Sequence, residues 1–424
     1  MLDPKFIRSS PDLVRQAIAD KREKADLDLW LALDEKRRPL LTRVEDLRAR
    51  RNTVSEEIGR LARDKGSDPG KLGELKQQMA SQKTEEATLD ADVARLEEEQ
   101  AQLGAWIPNI PHPSVPRGDA SANQVIKSWG TPRPAGEVLP HWDIGAKLGI
   151  LDFERAAKIS GSGFILFTGA GARLERALIQ FFLDTHTQKN GYTEISPPFL
   201  IRGESLYGTG QLPKLAEDMY KVSDDELYLN PTAEVPVTNM YRDEILTAEQ
   251  MPVKLTAYCP SFRREAGAAG RDTRGMIRVH QFDKVEVVRF VAPETSYEHL
   301  EELTGNAKGL LEALELPYRR VLLASGDMSF ASAKTYDLEA WSPAEGRWLE
   351  VSSCSNFESF QARRMNIRYR KDAKSKPEIV HTLNGSGLAL PRVFVALIEN
   401  HQTSDGKVRI PAALRPYMDG REFL

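Results

Sequence analysis

Apolar residues recur at spacings of three and four along two stretches of the first hundred residues. The first stretch carries them, with an interruption at Arg51, at Leu40, Val44, Leu47, Val54, Ile58 and Leu61. The second carries them, with Gln82, Glu86 and Gln100 between them, at Leu72, Leu75, Met79, Leu89, Val93, Leu96 and Leu103. A break at 65–70 contains glycine and proline in turn positions. The pattern predicts an antiparallel coiled-coil hairpin whose two helices, of about 30 residues each, extend on the order of 45 Å.

Charge is shared unevenly between the two predicted helices. The first is rich in basic residues, which are Lys36, Arg37, Arg38, Arg43, Arg48, Arg50, Arg51, Arg60, Arg63 and Lys65. The second is acidic towards its end, at Glu85, Glu86, Asp90, Asp92, Glu97, Glu98 and Glu99. A run of charge is usually a solvated face. A thin arm with many arginines also suits a phosphate backbone or a partner, and the sequence leaves both interpretations open.

The rest of the chain divides by composition. We predict an N-terminal domain over 1–106, with the arm at about 35–103, and an irregular linker over 107–140 that is rich in proline, glycine and serine. Short strands and helices alternate from 141 to 424. A long amphipathic helix is predicted to start at Gly169, and a strand from Tyr192 is predicted to end at Pro197 and Pro198.

Composition narrows the class of protein. The 424 residues carry a formal net charge of -4, which gives no global attraction to nucleic acid. No run of about 18 apolar residues exists, and no secretory signal precedes the first helix, so we expect a cytoplasmic protein without a membrane span. Cys259 and Cys354 form no CxxC pattern. A disulfide framework and a cysteine-based zinc finger are therefore both disfavoured.

The richest stretch for chemistry runs from Phe262 to Glu286, FRREAGAAGRDTRGMIRVHQFDKVE. A charged cluster, a glycine-rich segment and an alternating run predict an antiparallel hairpin with arginines at its base and tip. Alternation along strands predicts one face with Arg263 and Glu265, and another with Arg278, Phe282 and Glu286. Guanidinium groups, an aromatic ring and carboxylates on a concave sheet suit a nucleotide and a substrate with an ammonium group. A salt-bridged surface hairpin is the plainer alternative.

Three other segments complete a candidate site, since the chain has neither a GxxxxGK[ST] loop nor a GxGxxG helix start. Thr232 and Glu234 would share a face if the chain is extended there, and they suit an amino group. Glu350 begins a polar, β-prone segment and could hold magnesium ions that bridge phosphate oxygens. Asn384 to Arg392, NGSGLALPR, leads into an apolar helix whose start favours an anion.

These segments together resemble the bacterial-type seryl-tRNA synthetases, a family of class II aminoacyl-tRNA synthetases. FRREAGAAGRDTRGMIRVHQFDKVE resembles their motif 2, NGSGLALPR their motif 3, and the helix leading to ISPPFL their motif 1. The segments TAE at 232–234 and EVSSCSNF at 350–357 resemble the seryl branch, and the hairpin resembles its tRNA-binding arm. The resemblance implies an α+β catalytic domain on an antiparallel sheet flanked by helices. It also implies ATP-dependent attachment of L-serine to tRNA(Ser) in two steps through seryl-adenylate.

The resemblance also implies roles for individual residues. The implied L-serine site comprises Thr232, Ala233, Glu234, Arg263, Glu286, Asn384 and Ser386. The implied ATP site comprises Arg263, Arg264, Glu265, Val279, Phe282, Glu350, Val351, Ser352, Ser353 and Arg392. Within these sets Arg263, Arg392 and Glu350 would be catalytic, and Glu350 and Ser353 would hold Mg²⁺, with no zinc. The implied tRNA contacts are Arg43, Arg48, Arg50, Arg51, Arg60, Arg271 and Arg274.

The same resemblance implies a homodimer formed through the motif 1 region, and a second tRNA substrate, tRNA(Sec), where that tRNA exists. Two other functions compete with this one. A paralogue that charges a carrier protein tends to lack the arm, which this sequence has. A synthetase-like RNA-binding protein without catalysis predicts a broken site, whereas Arg263, Glu286, Glu350 and Arg392 are all present.

Overall fold

The computed structural model describes residues 1–64, 68–266 and 274–424. Its described residues form two compact units. One comprises Asp3–Ile18 and Glu23–Ile107, and the other comprises Met1–Leu2, Ala19–Arg22 and Pro108–Leu424. No helix in the described ranges has both the length and the apolar character needed to cross a bilayer.

The N-terminal unit is helical and is dominated by two long helices. Its helices are α1 (Pro4–Ser9), α2 (Pro11–Asp20), α3 (Leu27–Arg63) and α4 (Pro69–Gly104). Ion pairs join Arg37 to Glu97 and Lys71 to Glu57, so α3 and α4 run antiparallel, which confirms the predicted hairpin. Both are longer than predicted, because α3 has 37 residues and α4 has 36, so each extends about 55 Å at 1.5 Å per residue.

The helical seam combines apolar and charged contacts. Val44, Leu47, Val93 and Leu96 are buried along it. Arg51, which interrupts the apolar pattern, places Nη1 2.7 Å from Glu86 Oε2, and Glu86 is itself buried. The seam therefore accommodates the arginine by pairing it with a carboxylate from the other helix.

The second unit is built on an eight-stranded sheet in the order β1-β8-β9-β10-β13-β7-β6-β2. Its strands are β1 (Gln124–Trp129), β2 (Thr193–Glu194), β6 (Val253–Phe262), β7 (Gln281–Val291), β8 (Tyr318–Leu322), β9 (Lys334–Ser342), β10 (Arg347–Asn356) and β13 (His381–Ala389). Five short strands lie outside it, namely β3 (Leu200–Arg202), β4 (Leu227–Leu229), β5 (Ile245–Leu246), β11 (Arg368–Tyr369) and β12 (Glu378–Ile379). All neighbouring strands of the large sheet are antiparallel except β2 and β6.

Helices cover this sheet and connect its strands. They are α5 (His141–Lys147), α6 (Phe153–Ser160), α7 (Ala170–Lys189), α8 (Gly203–Thr209), α9 (Glu234–Asn239), α10 (Ser296–Ala313), α11 (Phe360–Met365) and α12 (Leu390–Asn400). The main core packs α7, α10 and α12 against the sheet, with Leu178, Leu303 and Phe394 almost fully buried. A second apolar cluster joins α9 and α11 to β6 and β7. The predicted class, an antiparallel sheet flanked by helices, is confirmed.

Three predictions of local structure need correction. The region 107–140 is not irregular throughout, because β1 pairs with β8 at one edge of the sheet. The strand predicted from Tyr192 reaches only Glu194. Thr232 and Glu234 do not lie on an extended strand, because Glu234 begins α9 and its backbone N–H donates to Thr232 Oγ1.

Candidate active site

The hairpin of β6 and β7 forms one wall of a polar cleft, as predicted. Its register sets Ser261 opposite Phe282, and residues directly opposite each other share a face of the sheet. Phe282, Lys284 and Glu286 alternate along β7 and therefore lie on that same face. Val285 points the other way, into the main core. One face of β7 thus carries an aromatic ring, a cation and a carboxylate in sequence.

Arg263 lies with Phe282, which corrects the predicted division of faces. Its guanidinium carbon is 5.2 Å from the centre of the Phe282 ring. Glu265 has a φ of 52° and pairs with Arg278 at 2.6 Å. The alternation argument fails at both residues because β6 ends at Phe262 and β7 begins only at Gln281. Arg278 therefore precedes the strand on which it was predicted.

A cavity of about 670 Å³ opens beside this wall. Thr232, Glu234, Lys284 and Glu286 line it from α9 and β7. Asn384 and Ser386 line it from β13, where Ser386 lies opposite Glu286. All six are at least nine-tenths buried. The structure therefore brings together the side chains predicted to bind serine.

Glu234 and Glu286, two of the carboxylates that line this cavity, have raised pKa values. Burial, with a smaller contribution from the charge of Glu286, raises the pKa of Glu234 to about 7. Burial also raises the pKa of Glu286, while Lys284 and Arg263 oppose that rise. Glu234 has an uncharged neighbour, since its Oε1 accepts a hydrogen bond of 2.7 Å from Gln361. Lys284 and Arg263 line the cavity together with Glu234 and Glu286, and charges of both signs suit a zwitterion.

A second cavity of about 110 Å³ adjoins the first. Phe282, Val279 and Arg392 line it, and Arg263 and Glu350 line both cavities. Arg392, near the start of α12, donates 2.9 Å to the Glu350 carbonyl and lies 3.3 Å from its carboxylate. The predicted nucleotide residues therefore border a space continuous with the predicted serine residues.

Some predicted contact residues are buried below these cavities. Ala233 and Val351 are 0% and 1% exposed, and neither side chain lines a cavity. The Ser352 hydroxyl donates 2.6 Å to the Ser386 carbonyl. None of these three residues lines either of the two cavities. Arg264 lies at the edge, with its guanidinium 5.9 Å from the Tyr220 ring centre.

Lys284, Gln361 and Asp337 are among the polar residues of the site that escaped the sequence analysis. Lys284 lines both cavities, and Gln361 orders Glu234. Asp337 on β9 lies opposite Ser353 and hydrogen-bonds to it, and burial together with the Glu350 charge raises the pKa of Asp337 well above its usual value. Lys284 lies in the segment from Phe262 to Glu286, two residues from both Phe282 and Glu286. Its position on their face of the strand could therefore have been predicted from this spacing.

Glu350 and Ser353 fit the chemistry of a magnesium site. Mg²⁺ is held in proteins by one or two carboxylates together with water and substrate phosphates. Both residues line the larger cavity, with Asp337 directly behind Ser353. Across the described ranges, no three side chains of His, Cys, Asp or Glu form a complete ligand set. Phosphate oxygens would therefore have to supply part of the coordination.

The residues predicted to contact tRNA differ in their surroundings. Arg43, Arg48 and Arg51 form ion pairs with acidic residues of α4. Arg50 and Arg60 are exposed, and no partner for either is found among residues 1–64, 68–266 and 274–424. Arg271 lies outside the described residues. Arg274, in the other unit, stands 4.6 Å from the Trp142 ring centre and 3.9 Å from the Asp143 carboxylate.

The antiparallel sheet with two adjoining polar cavities fits the core of a class II aminoacyl-tRNA synthetase. The family described as the tRNA synthetase class II core domain (G, H, P, S and T) matches residues 220–401, and the seryl-tRNA synthetase N-terminal domain matches 1–111. A serine–tRNA ligase of Desulfitobacterium hafniense is 53% identical over 426 residues, with 100% of both chains covered. The chain belongs to the seryl-tRNA synthetase family, whose activity is the attachment of L-serine to tRNA.

Solved structures agree with this membership. Seryl-tRNA synthetase from Pyrococcus horikoshii, complexed with ATP, has a TM-score of 0.91 and 38% identity, covering 100% of this chain and 99% of that one. Cytoplasmic serine–tRNA ligase from Naegleria fowleri, in complex with AMP, has a TM-score of 0.83 and 30% identity, covering 97% and 95%. The likeness therefore extends over both units of the chain.

Proposed function

We propose that the joined cavities activate L-serine with ATP to form seryl-adenylate and pyrophosphate, and then pass the seryl group to tRNA(Ser) and release AMP. The position of Arg263 is the observation that carries this proposal. It borders the cavity with the buried carboxylates and also the cavity beside Phe282 and Arg392. A guanidinium fork at such a junction can bind a carboxylate and a phosphate together.

In the serine half, Glu234 and Glu286 would receive the ammonium and hydroxyl groups. Thr232, Asn384 and Ser386 would complete the hydrogen bonds, and the main chain of Ala233 would close the pocket. A buried pocket that pairs the serine hydroxyl rejects alanine, because its own polar groups would then be left without partners. Threonine would be excluded by volume, where one methyl group is worth about 1–3 kcal/mol.

In the nucleotide half, Phe282 would stack on adenine, and Arg264, Glu265 and Val279 would border it. Arg392 would bind the γ-phosphate, with the main chains of Val351 and Ser352 nearby. Glu350 and Ser353 would hold Mg²⁺, which when bound supplies positive charge between phosphate oxygens. Asp337, behind Ser353, would keep that hydroxyl oriented.

The reaction requires the protein mainly to orient the reactants and to stabilise the negative charge that develops. The serine carboxylate is already ionised, so its attack on the α-phosphorus needs no general base. Arg263 would hold carboxylate and phosphate oxygens in line and would stabilise the negative charge that develops between them. The seryl group would then pass to the 3′-hydroxyl of the terminal adenosine of tRNA.

The arginine at the junction gives the direct test. Arg263→Ala should lower serine-dependent ATP–pyrophosphate exchange by on the order of 100-fold or more, the usual loss when a charge-stabilising donor is removed. Arg409→Ala is the matched control, because Arg409 pairs with Glu315 away from both cavities. Exchange by the Arg263 variant within a few-fold of the control would contradict the proposed site.

The arm is proposed to bind tRNA through Arg50 and Arg60. Within the part of the chain that the structure describes, neither has a partner and both can meet phosphates, whereas Arg48 is held by Glu86 and Asp90. Replacing Arg50 and Arg60 with alanine should raise the KM for tRNA and make binding less dependent on salt, without a change in pyrophosphate exchange. An equal loss of exchange would show that the two units are not functionally separate.

We also propose three properties that go with this activity. The enzyme would act in the cytoplasm as a homodimer through the region of α7, where Ile159 on the preceding helix is 73% exposed. It would charge tRNA(Sec) where that tRNA is present. The chain would divide into an N-terminal domain over 1–106, a connecting region over 107–140 whose strand β1 pairs with the catalytic sheet, and a catalytic domain over 141–424. Light scattering and charging of tRNA(Sec) transcripts test the first two, and limited proteolysis tests the third.

A further inference from the structure

Lys284 occupies an unusual place for a lysine. It is 6% exposed, on β7 between Phe282 and Glu286. Its Nζ donates 2.7 Å to Thr232 Oγ1 and lies 2.6 Å from Glu286 Oε2. The contact with Glu286 is a close ion pair rather than a well-aligned hydrogen bond, because that oxygen has no hydrogen-bond partner. A buried charge of this kind needs a partner at every stage of a reaction.

The groups that hold this lysine are those assigned above to serine. Thr232 and Glu286 would receive the substrate, and the serine ammonium group has the same charge and the same three N–H donors as Lys284. Two ammonium groups cannot occupy one position beside Glu286 Oε2 and Thr232 Oγ1. Lys284 therefore occupies a position at which the substrate ammonium is expected.

Lys284 also lies beside the junction of the two cavities. It borders both of them, as Arg263 and Ser386 do. A lysine side chain turns on a flexible four-carbon stem. Arg263 is more constrained, since its Nε donates 3.3 Å to the Pro231 carbonyl while its guanidinium lies over Phe282.

We infer that Lys284 is a counter-ion that changes partner when serine binds. It neutralises Glu286 before serine binds, is displaced by the serine ammonium group, and then pairs with the serine carboxylate and the α-phosphate at the junction. This inference rests on the proposed function. Charge stays paired at these two residues, because serine brings one cation for Glu286 and one anion for Lys284.

The test compares L-serine with ethanolamine, which has the ammonium and hydroxyl groups of serine but no carboxylate. Ethanolamine can displace Lys284 but offers it no new partner. In Lys284→Met, the ratio of the inhibition constant of ethanolamine to the KM of L-serine should fall at least tenfold from its wild-type value. The kcat of serine-dependent pyrophosphate exchange should fall on the order of 100-fold, since a cation at the reacting centre is lost.

Controls separate this role from a structural one. Lys254→Met removes a lysine from the neighbouring strand, where it pairs with Glu302 outside both cavities, and should leave the ratio and kcat unchanged. Lys284→Arg keeps a cation and should restore part of the ratio. If the methionine variant does not fold, Lys284→Gln carries the same expectations.

The outcomes distinguish two failures. A ratio unchanged in Lys284→Met, or a kcat within threefold of wild type, would overturn the inference while leaving the proposed function intact. If the wild-type protein shows no serine-dependent exchange at all, the proposed function itself fails.

Discussion

The raised pKa of Glu234 predicts that serine binding depends on pH in a range where free serine does not titrate. Glu234 is buried, and its pKa of about 7 lies well above the usual value of 4.5 for a glutamate. The difference corresponds to about 3 kcal/mol between its protonation states. An incoming ammonium group favours the ionised carboxylate, so serine must bind with release of the proton from the fraction of Glu234 that carries it.

The size of the effect follows from the ionised fraction. With a pKa near 7, about nine-tenths of Glu234 is ionised at pH 8 and about one-tenth at pH 6. Serine should therefore bind about tenfold more weakly at pH 6 than at pH 8. At pH 7, binding should release about half a proton. The neighbouring Glu286 does not share this behaviour to the same extent, because Lys284 stands beside it as a counter-ion.

Isothermal titration calorimetry can measure both quantities, with serine titrated from pH 6 to pH 8 in buffers of different ionisation enthalpy. Glu234→Gln is the informative variant, because glutamine can keep a hydrogen bond with Gln361 but cannot titrate. It should bind serine more weakly and with no slope over this range. A flat wild-type profile, or a slope that survives in the glutamine variant, would refute the reasoning.

The same carboxyl group links stability to pH with a defined sign. Its raised pKa means that the folded protein binds more protons than the unfolded chain between about pH 4.5 and pH 7. The contribution of Glu234 to stability is therefore fully present at low pH and is lost as the pH rises through that range. Glu234→Gln should show a smaller loss of unfolding free energy between pH 5 and pH 8 than the wild-type protein.

Three further predictions concern other parts of the molecule. Arg392→Ala should raise the KM for ATP by at least tenfold in the exchange assay and leave the KM for serine within a few-fold, because charged hydrogen bonds contribute about 1.5–3 kcal/mol. Glu86→Ala should lower the unfolding free energy of the arm by about 1 kcal/mol, measured by thermal melting, without loss of exchange. Gly275→Ala should destabilise the catalytic unit, because its φ is 77° and a Cβ would stand 2.0 Å from His141 Nε2, whereas Gly305→Ala, with open space around it, should melt at or above the wild-type temperature.

The spacing of apolar residues alone was enough to predict the arm, because a helical hairpin is a local structure. The apolar spacing identified both helices, and both extend somewhat beyond the predicted ends. The same pattern could not show which arginines are free. Arg48 and Arg50 are two residues apart, yet only Arg48 meets acidic residues of α4, since the choice depends on how the helices rotate against each other.

The register of the catalytic hairpin could not be predicted from the spacing of residues along the sequence. Alternation is reliable only inside a strand, and Arg263 and Arg278 both lie just outside one. Bulges add to the difficulty, because β13 shifts register between Ser386 and Leu388. Long-range pairing that joins β7 to β13, about 100 residues later in the chain, leaves no local signal in the sequence. The residues of the site could be collected by resemblance, but their neighbours could not.

The contacts of Lys284 bear on how the pocket is prepared for its substrate. A list of substrate contacts describes a pocket as if it were vacant before the substrate arrives, whereas buried carboxylates cannot remain without counter-ions. Glu234 meets this requirement by holding a proton below about pH 7, and Glu286 meets it by pairing with Lys284. On the proposed assignment, serine would release that proton from Glu234 and would displace Lys284 from Glu286. The first displacement would make binding depend on pH. The second would place a cation at the junction where the carboxylate meets the phosphate, so the groups that prepare the pocket would also place charge at the reacting centre.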